Sequence, residues 1–238
     1  PKGAYESELD GAGQVHVISM HEDEDFDLEA EFAEEDTAPP IDPLSGYNRV
    51  MTQVNDKLYF WILKPVSQGY QAVLPEDIRI AVGNFFNNLM MPVNVVNNLL
   101  QLRPKRAVTE LTRFALNTTT GVLGFGDPAS TSFNLKAYPE DFGQTLGHYG
   151  VGSGFHIVLP LLGPSNLRDT FGRIPDYDLD PISYLDGTEE MLAVRAYKLV
   201  NHTSLHIGEY ENLKADAVDL YTFLRDIYEK RRIEQIKE

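Results

Sequence analysis

The chain has 238 residues, a formal net charge of −16 and no cysteine, and 42% of its residues are hydrophobic. That length supports a hydrophobic core in one large domain or two small ones. The charge argues against binding nucleic-acid phosphates, and the missing thiol excludes disulfides, thiolate metal sites and cysteine catalysis.

The charge is unevenly placed: residues 1–40 hold thirteen acids and a single base, Lys2, leaving 23 acids and 19 bases for the rest. Runs such as Glu22-Asp23-Glu24-Asp25 and Glu34-Glu35-Asp36 repel themselves and offer little to a core. They predict an acidic flexible leader over 1–40, bounded by Pro39-Pro40 and Asp42-Pro43. A helical domain is expected over 41–238.

From Asn48 the spacing becomes helical, with Val50, Met51, Val54, Leu58, Trp61 and Ile62 on one face. Tyr59, Phe60 and Leu63 then make the last turn apolar all round, which suits burial or lipid, and Pro65 is expected to stop the helix. Pro75 with Glu76 and Asp77 announces a second helix, striped by Ile78, Val82, Phe85, Phe86 and Leu89. A third follows Pro92. Val93, Val95, Val96, Leu99 and Leu100 take one side, while Asn94, Asn97, Asn98 and Gln101 form a polar face without charge. Ordinary solvated faces favour Lys and Glu, so this is an unusual choice. A fourth starts near Pro104 with Ala107, Val108, Leu111, Phe114 and Ala115 expected inward.

Residues 118–135 read as loop, and Glu140-Asp141 opens a short helix ending near Gly147. The glycine- and proline-rich stretch 150–164 reads as loop with a short extended piece at Phe155–Leu159, followed by a short helix at Ser165–Ile174. Asp186 with Glu189 has the form of a capping box. The helix after it is apolar on most sides, through Met191, Leu192, Val194, Tyr197, Leu199 and Val200. The last helix is expected from about Asp216 to Ile236, burying Leu220, Tyr221, Leu224, Ile227 and Tyr228, with Lys230, Arg231 and Arg232 near its negative end. The class is all-α, and no apolar run reaches the roughly 18 residues that cross a bilayer.

No catalytic constellation stands out. There is no zincin helix, P-loop or nucleophile elbow, and Gly150-Val151-Gly152-Ser153-Gly154 misses the dinucleotide fingerprint. His202 and His206 share a helical face without a third metal ligand; structural or surface histidines explain them better. Asp141, His148 and Ser153 are near one another in sequence, but a triad needs convergence in space. What does emerge is a physical type. Short amphipathic helices, an amide face and aromatic residues near a helix end suit a protein that meets hydrocarbon and headgroup together. Tyr59, Phe60 and Trp61 are the candidates for interfacial anchors.

Several stretches resemble the MlaA (VacJ) lipoprotein family, in order over roughly residues 41–232. They are Asp42-Pro43, Tyr47-Asn48-Arg49, Lys64-Pro65-Val66, Asn84-Phe85-Phe86-Asn87-Asn88-Leu89 and Val96-Asn97-Asn98-Leu99-Leu100-Gln101. Arg113-Phe114, Glu140-Asp141-Phe142-Gly143-Gln144-Thr145-Leu146-Gly147, Leu159-Pro160-Leu161-Leu162-Gly163-Pro164-Ser165, Arg168-Asp169, Asp180-Pro181-Ile182-Ser183-Tyr184 and Tyr221-Thr222-Phe223-Leu224-Arg225-Asp226 continue it. The resemblance implies a ring-like arrangement of amphipathic helices enclosing an amphipathic channel, on the periplasmic side of the outer membrane. Such a protein removes mislocalised phospholipid from the outer leaflet, passes it to a soluble periplasmic lipid carrier, associates with a trimeric porin and maintains lipid asymmetry. No cofactor and no enzyme activity are implied.

On that reading Asn84, Phe85, Phe86, Asn87, Asn88, Asn94, Asn97, Asn98 and Gln101 are candidates to line the channel, since neutral amides would meet a headgroup without trapping it. Helix capping and satisfaction of loop carbonyls would explain the asparagines equally well. Gly147, Gly150, Gly152 and Gly154 are gate candidates, against simple turn chemistry. Three departures from the family pattern stand out. The lipidated N-terminal cysteine is missing and is expected to have been trimmed or replaced. Met90-Met91 precedes Pro92, where small or acidic residues are common, and the acidic leader is long. The competing readings are a phospholipid-degrading envelope enzyme and a structural adaptor that binds porin.

Overall fold

The computed structural model describes residues 42–238 and, ahead of them, two short strands, β1 (Glu8–Leu9) and β2 (Val15–His16), paired antiparallel. Two compact units are present, Pro1–Pro40 and Ile41–Glu238. Apart from those four strand residues, the acidic leader expected over 1–40 lies outside the described residues.

The second unit is mostly helical: α1 (Ser45–Leu58), α2 (Lys64–Val73), α3 (Glu76–Leu89), α4 (Met91–Leu100), α5 (Pro104–Thr119), α6 (Pro128–Thr131) and α7 (Phe142–His148) come first. A hairpin of β3 (His156–Leu159) and β4 (Gly163–Asn166) follows, with His156 opposite Asn166 and Leu159 opposite Gly163. Then come α8 (Leu167–Leu179), a 3-10 turn (Pro181–Tyr184), α9 (Thr188–Leu205), α10 (Glu209–Asp216) and α11 (Leu220–Lys237). Helix α4 packs on α5 and α7 on α8; α9 lies across α2 and α3, and α11 runs along α7.

Pro65 does not end the first helix. A π-helical turn, Tyr59–Leu63, joins α1 to α2, and the Lys64 N–H reaches back five residues to the Tyr59 carbonyl. A proline ring clashes with the carbonyl four residues before it in a regular α-helix. The wider turn relieves that clash, so the helix bends and continues.

The larger correction concerns which faces are inside. On α5, Val108, Leu111 and Ala115 point outward, while Glu110, Arg113 and Asn117 are buried with Ala107. On α4, Leu99 and Leu100 are exposed, and Asn97, Asn98 and Gln101 are enclosed with Val93 and Val95. On α9, Leu192, Tyr197 and Leu199 are exposed, and Asn201, Thr203 and Ser204 are buried. All of the largest wholly buried side chains are Asn or Ser: Asn48, Asn97, Asn98, Asn166, Asn201, Ser67 and Ser165. Hydrophobic periodicity locates a helix but does not say which medium its apolar stripe faces. Here hydrogen-bonded polar networks share the interior with a small apolar core, and many aliphatic groups face out.

Smaller differences have local causes. The predicted extended piece pairs with 163–166 into the hairpin. Asn166 caps α8 by accepting from the Asp169 N–H at 2.8 Å, and the helix runs on through Pro175. Helix α9 starts after Gly187 with no side-chain cap, so Asp186 does not play the expected part. The last helix begins at Leu220, capped by Asp219 accepting from the Thr222 N–H at 2.9 Å; Asp216 ends a separate helix. Ile227 lies exposed on α11, against expectation, while Tyr221 is buried.

Candidate functional site

The amide face of α4 lies against α5, α7, α8 and the 136–141 segment. Asn97 donates to Asp176 at 2.9 Å and accepts from the Thr145 hydroxyl at 2.8 Å. Asn98 donates to the Tyr138 carbonyl at 3.0 Å, and Asn94 to Glu110 at 3.2 Å. Gln101 donates to Glu140 at 2.9 Å and accepts from Arg103 at 2.7 Å. Burial pushes the Glu140 carboxyl up, against the pull of Gln101, Arg103 and Arg106. It likewise raises Asp176, against hydrogen bonds from the Phe142 N–H and Asn97. Asn97, Asn98 and Gln101 are thus held by fixed partners in the interior.

The other amide cluster is more open. Asn84 donates to the Phe125 carbonyl at 3.3 Å, Asn88 donates to the Thr118 hydroxyl at 3.1 Å, and Asn87 is exposed. Gly124, at φ +91°, closes on Asn88; a Cβ there would meet its Nδ2 at 2.6 Å. Phe85 stacks on Phe125 with centroids 5.1 Å apart, and the rings continue through Phe86 and Tyr197 to Tyr70. An aromatic path therefore joins the 120–126 loop to α3, α9 and α2. Beside it, Thr120, Gly121, Val122, Phe125, Gly126, Asp127, Pro128 and Thr131 line an open hollow of about 450 Å³.

The three interface candidates separate. Trp61 is 74% exposed. Tyr59 donates to Glu211 at 2.8 Å and packs on Tyr210, while Phe60 lies beneath the Lys214 and Lys64 ammonium groups. Burial opposes ionisation of Glu211, but Lys64 and the Tyr59 hydroxyl hold its carboxyl down at about 2. Among the glycines, a Cβ at Gly147 would meet Ile236 at 2.4 Å, which ties that end to α11, whereas Gly150 and Gly152 have open space around them.

Residues that were not among the candidate site residues form polar networks at the centre of the fold. Arg232 on α11 donates to both oxygens of Asp141 at 2.7 and 2.8 Å and to Asp169 at 2.8 Å. Arg168 and Tyr228 add bonds to Asp169 at 2.9 and 2.7 Å. Asn48 donates to Asp42, to Tyr221 and to the His156 carbonyl, tying α1 to β3 and α11. Arg113 donates to Asp127, Ser130 and the Leu135 carbonyl.

Burial opposes ionisation of Asp169, yet Arg232, Arg168 and Tyr228 outweigh it and hold the carboxyl below its usual range. Its folded value therefore lies beneath the unfolded one of about 3.9. The resulting stability is present above about pH 4 and is lost as pH falls through the folded value. The stability gap between the wild type and Asp169→Asn should accordingly be widest near neutrality and close below about pH 4. Thermal melts across that range would show it, and a gap independent of pH would contradict it.

The catalytic arrangement weighed from sequence does not assemble around Asp141. Its carboxylate caps α7, accepting from the Gln144 N–H at 2.8 Å, and pairs with Arg232. The His202 and His206 rings stack 4.3 Å apart, and among the described residues no group of three or more His, Asp or Glu is placed to hold a metal ion. Among the same residues no helix is long and apolar enough to cross a membrane.

A family model described as MlaA lipoprotein matches residues 40–235. The chain is 35% identical over 195 residues to the intermembrane phospholipid transport system lipoprotein MlaA of Escherichia coli, covering 80% of this chain and 76% of that one. Its counterpart in Haemophilus influenzae is 36% identical over 190 residues, at 79% and 76% coverage. An uncharacterized protein of Rickettsia felis is 31% identical over 192 residues, at 80% and 76%. A solved structure, described as the structural basis for maintenance of bacterial outer membrane lipid asymmetry, superposes with a TM-score of 0.68 at 32% identity. It covers 82% of this chain and 98% of that one.

Proposed function

Since the chain belongs to the MlaA lipoprotein family, we propose that its outward aliphatic faces and its α3 amide–aromatic cluster together carry phospholipid. The protein is an outer-membrane lipoprotein of phospholipid transport between membranes; it maintains outer-membrane lipid asymmetry and is not an enzyme. The observation that carries the reading is the unusual distribution of polarity: a small apolar core around Phe86, Val93, Val158 and Ile182 is joined inside by amides and ion pairs, while many leucines, valines and isoleucines lie outside. In water such a surface is costly. Against acyl chains it is favourable, and most of the buried polar groups find partners within the protein, as a lipid environment demands.

Moving a phospholipid through water exposes its tails at about 0.8 kcal/mol per CH₂. A transporter must therefore offer unbroken apolar surface beside polar groups for the head. The amphipathic passage is proposed to run along α3. Phe85 with Phe125 forms its apolar wall, Phe86 is buried behind them, and Asn84, Asn87 and Asn88 are its headgroup contacts. Asn94 stands at its edge, with Asn97, Asn98 and Gln101 holding the wall in shape. Trp61 would sit at the lipid interface, fixed by Tyr59 and Phe60 against α10. The segment from Gly150 to Gly154 would act as the gate, hinged beyond the tied Gly147. A trimeric porin and a soluble periplasmic lipid carrier are the partners this role requires.

A phospholipid carrying a photoreactive acyl chain tests the passage. Labelling is expected at Phe85, Asn87 and Phe125, and Asn87→Ala should slow transfer to acceptor vesicles about fivefold, the value of one hydrogen bond. Labelling confined to the outer aliphatic faces, with α3 unlabelled, would move the passage elsewhere. Absence of any transfer would overturn the transport reading itself.

A further inference from the structure

Helices α3 and α9 run antiparallel. Arg79 donates to the Ser204 carbonyl at 2.6 Å, Asn201 donates to the Arg79 carbonyl at 3.0 Å, and a Cβ on Gly83 would lie 3.7 Å from the Asn201 amide. One turn further along α3 comes Phe86, and one turn back along α9 come Tyr197 and Lys198. The Phe86 ring meets Tyr197 at 6.0 Å and the Lys198 ammonium at 5.9 Å. Asn87 follows Gly83 by four residues, so it lies on the same side of α3. Lys198 is therefore level with Asn87, a proposed headgroup contact, and one ring behind Phe85.

Charge is scarce around that ammonium. Residues 65–74, 80–89 and 117–126 carry none, and Lys198 is the one charged residue between Ala196 and Asn201. Among the described residues it forms no ion pair and no hydrogen bond. Asp180, whose field it feels, is engaged by Arg195 at 3.0 Å. Burial lowers the Lys198 pKa below the ordinary lysine value; Asp180 opposes that shift and Arg195 adds to it. Two cations against one carboxylate leave this part of α9 with an unbalanced positive charge. A half-buried ammonium without a counter-ion is costly, and the face of an aromatic ring offsets only part of that cost.

We propose that Lys198 binds the phosphate of the transported lipid and makes the path favour headgroups of net negative charge over zwitterionic ones. The inference rests on the transport reading above and adds selectivity to it. A phosphatidylglycerol head brings a single negative charge, which the ammonium meets by a charge-assisted hydrogen bond. The flexible four-carbon stem lets the ammonium follow a moving head. A phosphatidylethanolamine head brings the same phosphate together with its own ammonium. That second cation is repelled by Lys198, and the charge-free segments offer it no carboxylate.

The test follows trace phosphatidylglycerol and phosphatidylethanolamine, with matched acyl chains, as the full chain moves them between phosphatidylcholine vesicles. Wild type should favour phosphatidylglycerol roughly tenfold, the scale of one hydrogen bond to a charged group. Lys198→Met keeps an apolar stem over Phe86. It should abolish the preference by slowing phosphatidylglycerol alone, and Lys198→Arg should retain it. A residue that only covers Phe86 predicts equal loss for both lipids with a lower melting temperature, which would overturn the proposal. An unchanged ratio with undiminished transfer would overturn it too and leave the transport reading standing. A second arm reads binding without transfer, as the rate at which an amine reagent acetylates Lys198, followed by mass spectrometry. Phosphatidylglycerol in the vesicles should slow that reaction, whereas phosphatidylcholine vesicles and inorganic phosphate should not. Protection by inorganic phosphate would assign the ammonium to a soluble anion and overturn the lipid assignment. Protection by phosphatidylglycerol without any transfer would uphold the site and remove the transport reading instead.

Discussion

Arg232→Met is expected to lower folding stability by about 3 to 5 kcal/mol, the usual cost of leaving one side of a buried ion pair unmatched. The guanidinium is nearly enclosed and its fork spans two carboxylates, Asp141 at the start of α7 and Asp169 in the first turn of α8. Removing it leaves Asp169 buried with Arg168 as its remaining cation. Arg232→Lys should recover little, since one ammonium cannot bond both carboxylates in that fork geometry. Asp169→Asn combined with Arg232→Met should lose less than the sum of the two single changes, because the second no longer strands a charge. Urea unfolding midpoints provide the measurement. An Arg232→Met protein within about 1 kcal/mol of wild type would show that solvent or rearrangement satisfies the carboxylates.

Gly172→Ala should destabilise by about 3 kcal/mol, although alanine is the better helix former by about 1 kcal/mol. Helices α7 and α8 cross at Gly143 and Gly172. A Cβ on Gly172 would lie 2.6 Å from the Gly143 nitrogen, and one on Gly143 would lie 2.4 Å from Asp169 Oδ1. The first obstacle is backbone, which cannot rotate aside, so the helices would have to separate. Separation would also stretch the Arg232 bonds to Asp141 and Asp169, and effects at the two sites should therefore be coupled. A neutral or stabilising result from chemical denaturation would mean that the crossing is loose.

Much of the local structure is legible in the chain itself. Pro75, Pro92 and Pro104 mark three helix starts to within a residue or two, and Asp141 with Gln144 forms a capping box in which each satisfies the other's backbone N–H. The family is legible as well, because its motifs run in order through the helical unit. What periodicity misread was direction. The stripe of Val108 and Leu111 is a real helical stripe, but it faces out, since Arg113 on the other side finds Asp127, Ser130 and the Leu135 carbonyl. Likewise Pro65 is a real helix breaker whose effect a π turn absorbs.

The sequence by itself therefore determined the starts marked by Pro75, Pro92, Pro104 and Asp141, which residues share a face, and the lipid-transport family to which the chain belongs. These depend on local sterics, capping and residue order. Tertiary structure alone decided that the α4 amide face is interior, that Arg232 joins Asp141 to Asp169, and that leucines occupy left-handed turns. The reason is that a polar group goes inside only when partners converge on it from distant parts of the chain. Asp141 and Arg232, for example, stand 91 residues apart. Spacing along one helix holds no record of such convergence.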